Sequence, residues 1–274
     1  MLRKITFAVL IILILIWVLF PFYSLIVTSV TPVGGIGKLI PDKVTFKFFE
    51  QVLFGIGSTS GKTIWPYMLN SIIICLVVTV IVLVFCLPCS YSLSRMKTRT
   101  SGAIYLGYYV LRTLPPIAIV IPVFFIITKL KLMDNLTSLI LVNILFQIPV
   151  GVWLMKGFFD TIPVEIEESA FIDGASVPQT FLKIILPLAS NGMSVTATFI
   201  FLFTYMEFMY ANILTRTDSA VTIPIYISSF ATIWEIKYQQ MLVAALVGMI
   251  PMIIVFIIVQ RYLVKSIISG SIKA

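Results

Sequence analysis

The sequence predicts an all-α polytopic membrane protein with six transmembrane helices. Of its 274 residues, 60% are hydrophobic and only 11% are charged, and a soluble domain of this size cannot bury so much apolar surface. The apolar residues form six long runs, each able to cross a hydrocarbon core of about 30 Å at about 1.5 Å per residue. Because none of the runs alternates in polarity as barrel strands do, we expect helices throughout.

The first predicted span follows Arg3 and Lys4 and resembles a signal peptide at first sight. Its apolar run exceeds the usual length, and no A-x-A-like cleavage site follows, so we interpret it as a retained helix. Prolines inside the later spans predict kinks. The predicted spans are 5–29, 67–93, 103–128, 137–158, 190–213 and 239–264.

A single membrane domain over residues 1–274 is the simplest partition, because no repeat of solenoid period is visible and the longest outer segment, 30–66, is too small for an independent domain. We predict outer segments at 30–66 and 214–238, and a cytoplasmic loop at 159–189. Lysine and arginine are only slightly more frequent on the predicted inner side, so charge alone gives a weak orientation signal. Cys86-Leu87-Pro88-Cys89 matches a redox motif formally, but inside an apolar helix we expect small packing residues.

The loop 159–189 carries clear signals for helix starts and stops. Pro163 suits a first helical turn, and acidic residues follow where the helix dipole is positive. Gly174 after Asp173 predicts a stop, because glycine readily adopts the left-handed conformation. Ser176 and Gln179 have the spacing of a capping box that restarts a helix. We therefore predict a short helix with Glu165, Glu168 and Ile172 at helical spacing, then a glycine corner, then a helix leading into the next span.

The same loop contains a spaced motif. Glu168-Ser169-Ala170 is followed by three residues, Gly174, nine residues and Ile184-Ile185-Leu186-Pro187. This pattern resembles the EAA loop of membrane subunits in binding-protein-dependent ABC importers, with Ser169 where the family usually carries alanine. From composition alone the loop would be an ordinary amphipathic connector. The resemblance implies instead a type I importer permease fold with a cytoplasmic EAA coupling helix.

In that family the coupling helix seats in a cleft of the cytoplasmic ATPase and transmits its closing motion. The resemblance therefore implies a set of ATPase-coupling residues, with small Ala170 permitting close approach. We call these the predicted coupling residues: Glu165, Glu168, Ser169, Ala170, Phe171, Ile172, Asp173, Gly174 and Ala175.

Further segments resemble the carbohydrate-uptake branch of the family, and Gly37-Lys38-Leu39-Ile40-Pro41 resembles permeases for maltose- and trehalose-like sugars. The run Tyr205-Met206-Glu207-Phe208 departs from the usual Trp-Asn-Glu-Phe-like pattern, which loosens any inference about the exact sugar. Segments typical of the branch are 21–23, 28–29, 70–71, 90–95, 114–116, 158–163 and 260–274.

The resemblance implies four partners: a second homologous permease subunit, a dimeric cytoplasmic ABC ATPase, an extracytoplasmic sugar-binding protein and the lipid bilayer. It also implies a multi-pass protein of the cell membrane with both termini cytoplasmic. We expect no cofactor on this chain, and ATP and Mg on the partner ATPase. Nothing in the sequence suggests nucleic acid as a partner.

The chain offers no catalytic constellation. It has no histidine, which removes the commonest general base and metal ligand, so we expect neither an enzyme nor a metal site. The run Gly55–Thr63 resembles a P-loop, but Ile56 stands where the first glycine is required. We interpret it as a flexible turn in an outer loop.

Two charges fall well inside predicted spans, Arg112 and Glu207. A charge at the bilayer centre costs about 3 kcal/mol, so each should face protein or water. We assign Arg112, Tyr205 and Glu207 to a translocation pathway, with a structural role for Arg112 equally open. An ion-coupled secondary carrier acting without an ATPase is the alternative function, and its expected sign is acids at the membrane midplane.

Overall fold

The protein is described by a computed structural model covering residues 2–33, 39–58, 61–96 and 115–271, with positions 102, 106, 107, 110 and 113. Helices dominate this part of the chain, and one isolated bridge joins Ala231 to Ile236. The helices are α1 Leu2–Ser29, α2 Lys47–Phe54, α3 Trp65–Arg95, α4 Pro116–Lys129, α5 Leu136–Phe159, α6 Glu165–Ile172, α7 Val177–Leu188, α8 Ser190–Tyr205, α9 Met209–Leu214, α10 Ile223–Ser228, α11 Tyr238–Gly248 and α12 Ile250–Ser271.

Four stretches of helix are long and apolar enough to cross a membrane, and α7 with α8 makes a fifth if this bent pair is one span. These confirm the prediction of a helical membrane protein. The predicted third span, 103–128, lies partly outside the described residues; its later part forms α4, a helix of 14 residues. The four long stretches are Thr6–Ser29, Trp65–Arg95, Leu136–Phe159 and Tyr238–Gln260.

Contacts group the chain into two compact units. The first comprises Met1–Met68 with Ile223–Ile250, and in it α11 packs against α1, α2 and α10. The rings of Tyr67 and Tyr226 stack with their centroids 4.5 Å apart. Pro251 stands at the start of α12, where the helix breaks after α11 because proline cannot donate a backbone hydrogen bond.

The second unit comprises Leu69–Thr222 with Pro251–Ala274. Within it α5 packs against α8 and α9. A buried apolar cluster joins the ends of α3 and α5 to α7, which places these helices beside the loop that carries α6. Its members are Cys86, Leu93, Val152, Met155, Phe159, Ile185 and Ala189. The single domain over 1–274 stays a prediction.

Two glycines on these helices allow close packing. A Cβ at Gly151 of α5 would lie 3.0 Å from the Cys86 sulfur of α3, and a Cβ at Gly192 of α8 would lie 2.8 Å from Phe158 Cβ. Cys86 is a free, buried thiol in this packing. It therefore serves as a small core residue, as the sequence predicts.

Candidate functional site

Helix α6 presents its acidic side outwards. Three glutamates occupy its first turn, where the positive end of the helix dipole favours them. Glu165 and Glu168 are exposed on the same side as Ile172, whose side chain is 86% exposed. This exposed side of α6 therefore carries two carboxylates and one large apolar side chain.

The helix ends at a Schellman motif around Gly174. The Gly174 N–H donates to the Phe171 carbonyl at 3.0 Å, and the Ala175 N–H donates to the Ala170 carbonyl at 2.9 Å. Gly174 has a φ of +83°, and a Cβ there would meet no atom within 4 Å. Glycine is therefore needed for its backbone conformation rather than for space, and the predicted glycine corner is confirmed.

Helix α7 restarts the chain with the predicted capping box, in which the Ser176 N–H donates to Gln179 Oε1 at 2.9 Å. Its middle turn, Phe181–Ile185, is a π-helix, and the Leu186 N–H reaches back to the Phe181 carbonyl. We attribute the widened turn to Pro187, which lacks an N–H and whose ring would crowd the carbonyl four residues earlier. Between α7 and α8 the chain then bends by 75°.

The inner side of α6 holds the third carboxylate of its first turn. Glu167 is only 4% exposed. Its Oε1 accepts a hydrogen bond from Arg95 Nε at 2.6 Å, and its Oε2 accepts one from the Tyr91 hydroxyl at 2.7 Å. Both partners belong to the last turns of α3, so this carboxylate ties α6 to that helix.

Arg95 also holds the segment that leads into α6. Its two terminal nitrogens donate to the carbonyls of Phe159 at 3.1 Å and Ile162 at 3.2 Å. Its guanidinium carbon lies 5.8 Å from the centre of the Tyr91 ring, within cation–π range. One arginine therefore contacts the end of α5, the following turn and α6.

A second, more exposed pair lies beside it. Asp160 accepts hydrogen bonds from the Ser94 hydroxyl at 2.6 Å and from Lys156 Nζ at 2.7 Å. Partial burial alone would raise the pKa of Asp160, but the bonds from Lys156 and Ser94 outweigh it and hold that pKa below its ordinary value. Asp160 therefore stays ionised at neutral pH and fixes the end of α5 to α3.

Two sequence signals could have identified Glu167. It stands three residues before Ala170, so the two share a helix face, and small Ala170 is buried. An acid on a buried face requires a cation, and Arg95 is the basic residue that ends the preceding run Ser90–Arg95. Helix-dipole reasoning alone treats Glu165, Glu167 and Glu168 alike and therefore misses the distinction.

The predicted coupling residues divide between the two sides of α6. Ala170 is 6% exposed and packs inside the chain, whereas Phe171 is 43% exposed. Ser169, which departs from the family pattern, is exposed, and its hydroxyl donates to the Glu165 carbonyl at 2.8 Å. The polar substitution is therefore satisfied within the helix. Asp173 and Gly174 are exposed and Ala175 is half-buried.

Two of the three predicted pathway residues lie in the part of the chain that the structure describes. Arg112 lies outside the described residues. Tyr205 is buried at 4% exposure, with its ring stacked 6.1 Å from that of Phe201. The Glu207 carboxylate accepts hydrogen bonds from the N–H groups of Tyr210 at 2.7 Å and Ala211 at 3.1 Å. Glu207 thus caps α9, and the predicted continuous span 190–213 breaks there.

The run that resembles a P-loop contains a helix stop and turns. Gly55 ends α2 with a φ of +72°, and its N–H donates to the Gln51 carbonyl at 3.1 Å. Gly57 and Gly61 also adopt positive φ. Residues 59 and 60 lie outside the described residues. The described glycines therefore have backbone roles in a turn.

Several long apolar helices and a loop helix with an outward acidic side define a polytopic membrane protein. Residues 87–269 match the family described as binding-protein-dependent transport system inner membrane component. That match covers more than half of the chain, and the chain belongs to this family.

Relatives named for sugar transport cover most of the chain. The trehalose transport system permease protein SugB of Mycobacterium tuberculosis is 32% identical, covering 86% of this chain and 85% of the relative. The trehalose/maltose transport system permease protein MalG of Thermococcus litoralis is 30% identical, covering 93% and 91%. The diacetylchitobiose uptake permease protein DasC of Streptomyces coelicolor is 27% identical, covering 93% and 91%.

A solved structure has the same fold. The crystal structure of a bacterial ABC transporter involved in alginate import matches with a TM-score of 0.71 at 21% identity, covering 95% of this chain and 96% of that chain. The predicted importer permease fold is therefore confirmed.

Proposed function

We propose that this chain is the transmembrane subunit of an ATP-driven importer for a di- or oligosaccharide of the maltose or trehalose type. The exposed side of α6 carries the proposal. Glu165, Glu168 and Ile172 project from a helix whose opposite side is fixed to the chain by Glu167. The names of SugB and MalG support the sugar class, as does the segment Gly37–Pro41. DasC is named for a different sugar, diacetylchitobiose, so the exact sugar is to be identified by experiment.

In the proposed complex, this chain pairs with a second homologous permease, a dimer of cytoplasmic ABC ATPases and an extracytoplasmic sugar-binding protein. Closure of the ATPases around ATP and Mg draws the coupling helices together and turns the permeases from inward- to outward-facing. The sugar then passes from the binding protein into the cavity between the permeases. Hydrolysis occurs on the ATPase, and this chain supplies the contact surface and half of the path.

The test is ATP hydrolysis by the purified complex in proteoliposomes, with and without sugar-loaded binding protein. We expect the loaded binding protein to stimulate hydrolysis, because it favours the outward-facing state. Screening maltose, trehalose and diacetylchitobiose identifies the sugar. Uptake by this chain alone, driven by an ion gradient and indifferent to ATP, would establish the secondary carrier instead.

Charge reversal tests the surface itself. Glu168→Lys should weaken co-purification of the ATPase, because the carboxylate is expected to meet a basic group there. Glu50→Lys, an equal charge change on exposed residue 50 of α2, is the matched control. Replacing Lys62 of the P-loop look-alike should leave hydrolysis unchanged. Normal uptake and ATPase co-purification in Glu168→Lys would contradict the proposed role of α6.

A further inference from the structure

Helix α6 is attached to α3 by two hydrogen bonds that the Glu167 carboxylate accepts. We infer that the Arg95 clamp, defined as Arg95, Glu167 and Tyr91 with the carbonyls of Phe159 and Ile162, makes α6 and the end of α3 move as one rigid body. Glu167 is then a positioning residue. The inference rests on the proposed function, in which a partner ATPase displaces α6.

Both charged groups of the clamp make more than one hydrogen bond. Glu167 accepts from Arg95 through one oxygen and from Tyr91 through the other. Arg95 donates through Nε and both terminal nitrogens. The Arg95 and Glu167 side chains are only 16% and 5% exposed. A buried pair is stable when such additional hydrogen bonds accompany it, and removing one partner leaves an uncompensated charge.

The helix beyond the glycine corner is attached to the same place. The Tyr91 ring lies 5.7 Å from that of Phe159 at the end of α5 and 4.8 Å from that of Phe181 in α7. Ile185 of α7 joins the buried cluster with Leu93 of α3. The segments before and after α6 are therefore both packed on α3. A partner that displaces α6 should therefore displace the end of α3 as well, because the segments on both sides of α6 are held to it.

An Arg95 clamp that only stabilised the folded loop would make the same contacts. The experiment must therefore measure whether α6 and the end of α3 move together. Spin labels at positions 92 and 164 report the distance between α3 and the start of α6 in the complete complex. Ser92 is exposed on α3, and Val164 precedes α6 with 37% exposure. Neither is a predicted coupling residue. Cys75, Cys86 and Cys89 are replaced first.

With Glu167 intact, we expect the same narrow distance distribution in the nucleotide-free and ATP-trapped states. In Glu167→Gln the distribution should broaden or shift on ATP trapping. Sugar transported per ATP should fall, while hydrolysis continues. Tyr91→Phe, which loses one hydrogen bond but keeps the ring packing, should give a smaller loss and replaces Glu167→Gln if that variant fails to assemble.

Glu235→Gln is the matched control. The Glu235 side chain is 68% exposed, and its ion pair with Lys237 is long, at 4.0 Å. A distance between positions 92 and 164 that changes on ATP trapping with Glu167 intact would overturn the inference. So would unchanged sugar transport per ATP in both clamp variants. Failure of the proposed function looks different, because the unaltered chain would then retain no ATPase and show no stimulation by sugar-loaded binding protein.

Discussion

Single residues in the loop 159–189 have roles set by backbone conformation or by buried charge. Gly174 adopts a left-handed conformation in open space, and Glu167 is a buried carboxylate with two donors. The capping box and the glycine corner were predictable because they depend on neighbours in the sequence. The pairing of Glu167 with Arg95 was missed, because the two residues are 72 positions apart and its signals, small Ala170 and the basic end of Ser90–Arg95, lie in separate segments.

Substitution of Gly174 tests the corner. Gly174→Val should abolish transport while the chain still inserts, because a left-handed backbone costs an ordinary residue about 1–2 kcal/mol and β-branching adds to that strain. Gly174→Asn is the matched control, since asparagine tolerates this conformation. Sugar uptake and membrane content are the measurements. Uptake by the valine variant that equals uptake by the asparagine variant and by the parent chain would show that the left-handed conformation is not needed.

Asp134 provides a residue-scale prediction of pH dependence. Its carboxylate accepts hydrogen bonds from the backbone N–H groups of Arg216 at 2.8 Å and Thr217 at 3.0 Å, and from the Thr217 hydroxyl. Slight burial would raise the pKa of Asp134, but these bonds lower it below its ordinary value. Its stabilising effect is therefore present above the ordinary value of about 3.9 and is lost as pH falls through the lowered pKa.

Asp134→Asn removes the charge and keeps a residue that tolerates the positive φ of 57° found there. We expect the variant to have a lower midpoint of thermal unfolding at neutral pH, with the difference from the parent chain shrinking below about pH 4. A difference that is constant with pH would show that the carboxylate charge is not responsible.

At the scale of helices, close approach at glycine decides the packing of α5 against α8. Gly192→Ala should lower stability by about 1–3 kcal/mol, because its Cβ would overlap Phe158. Gly157→Ala on α5 is the matched control, since a Cβ there meets nothing within 4 Å. Thermal unfolding in detergent is the measurement. Gly192→Ala together with Phe158→Leu should recover part of the loss, and equal stability of both alanine variants would contradict the overlap.

The existence of the helices follows from hydropathy, but their breaks do not. Apolar length correctly placed α1, α3 and α5, because lipid requires satisfied backbone groups. The break after Tyr205 depends on the Glu207 side chain capping α9. An acidic residue inside an apolar run can be a functional charge or a cap, and only the surrounding backbone distinguishes them.

At the scale of the whole molecule, the predicted orientation can be tested directly. Both termini and the loop 159–189 should be cytoplasmic, as the family resemblance and six apolar runs imply. In a chain lacking Cys75, Cys86 and Cys89, a cysteine placed at exposed position 176 should react with an impermeant thiol reagent only after the membrane is opened. A cysteine at position 233, which is 96% exposed, should react from outside. Labelling of position 176 in intact cells would show that the topology is the reverse of the predicted one.

The π turn Phe181–Ile185 makes the orientation of α6 depend on where residues are added or removed. Because its hydrogen bond joins residues five apart, the turn holds one residue more than regular winding would. Deleting one residue there would restore regular winding and leave α6 facing the same way, whereas a deletion in the regular turn Val177–Thr180 would rotate everything before it by about 100° relative to α8. In the second case the outward side of α6 would point elsewhere although every side chain on it was unchanged. The number of residues between α6 and α8 is therefore part of the information that orients the surface, and a single-residue deletion within 177–180 should harm the protein more than one within 181–185.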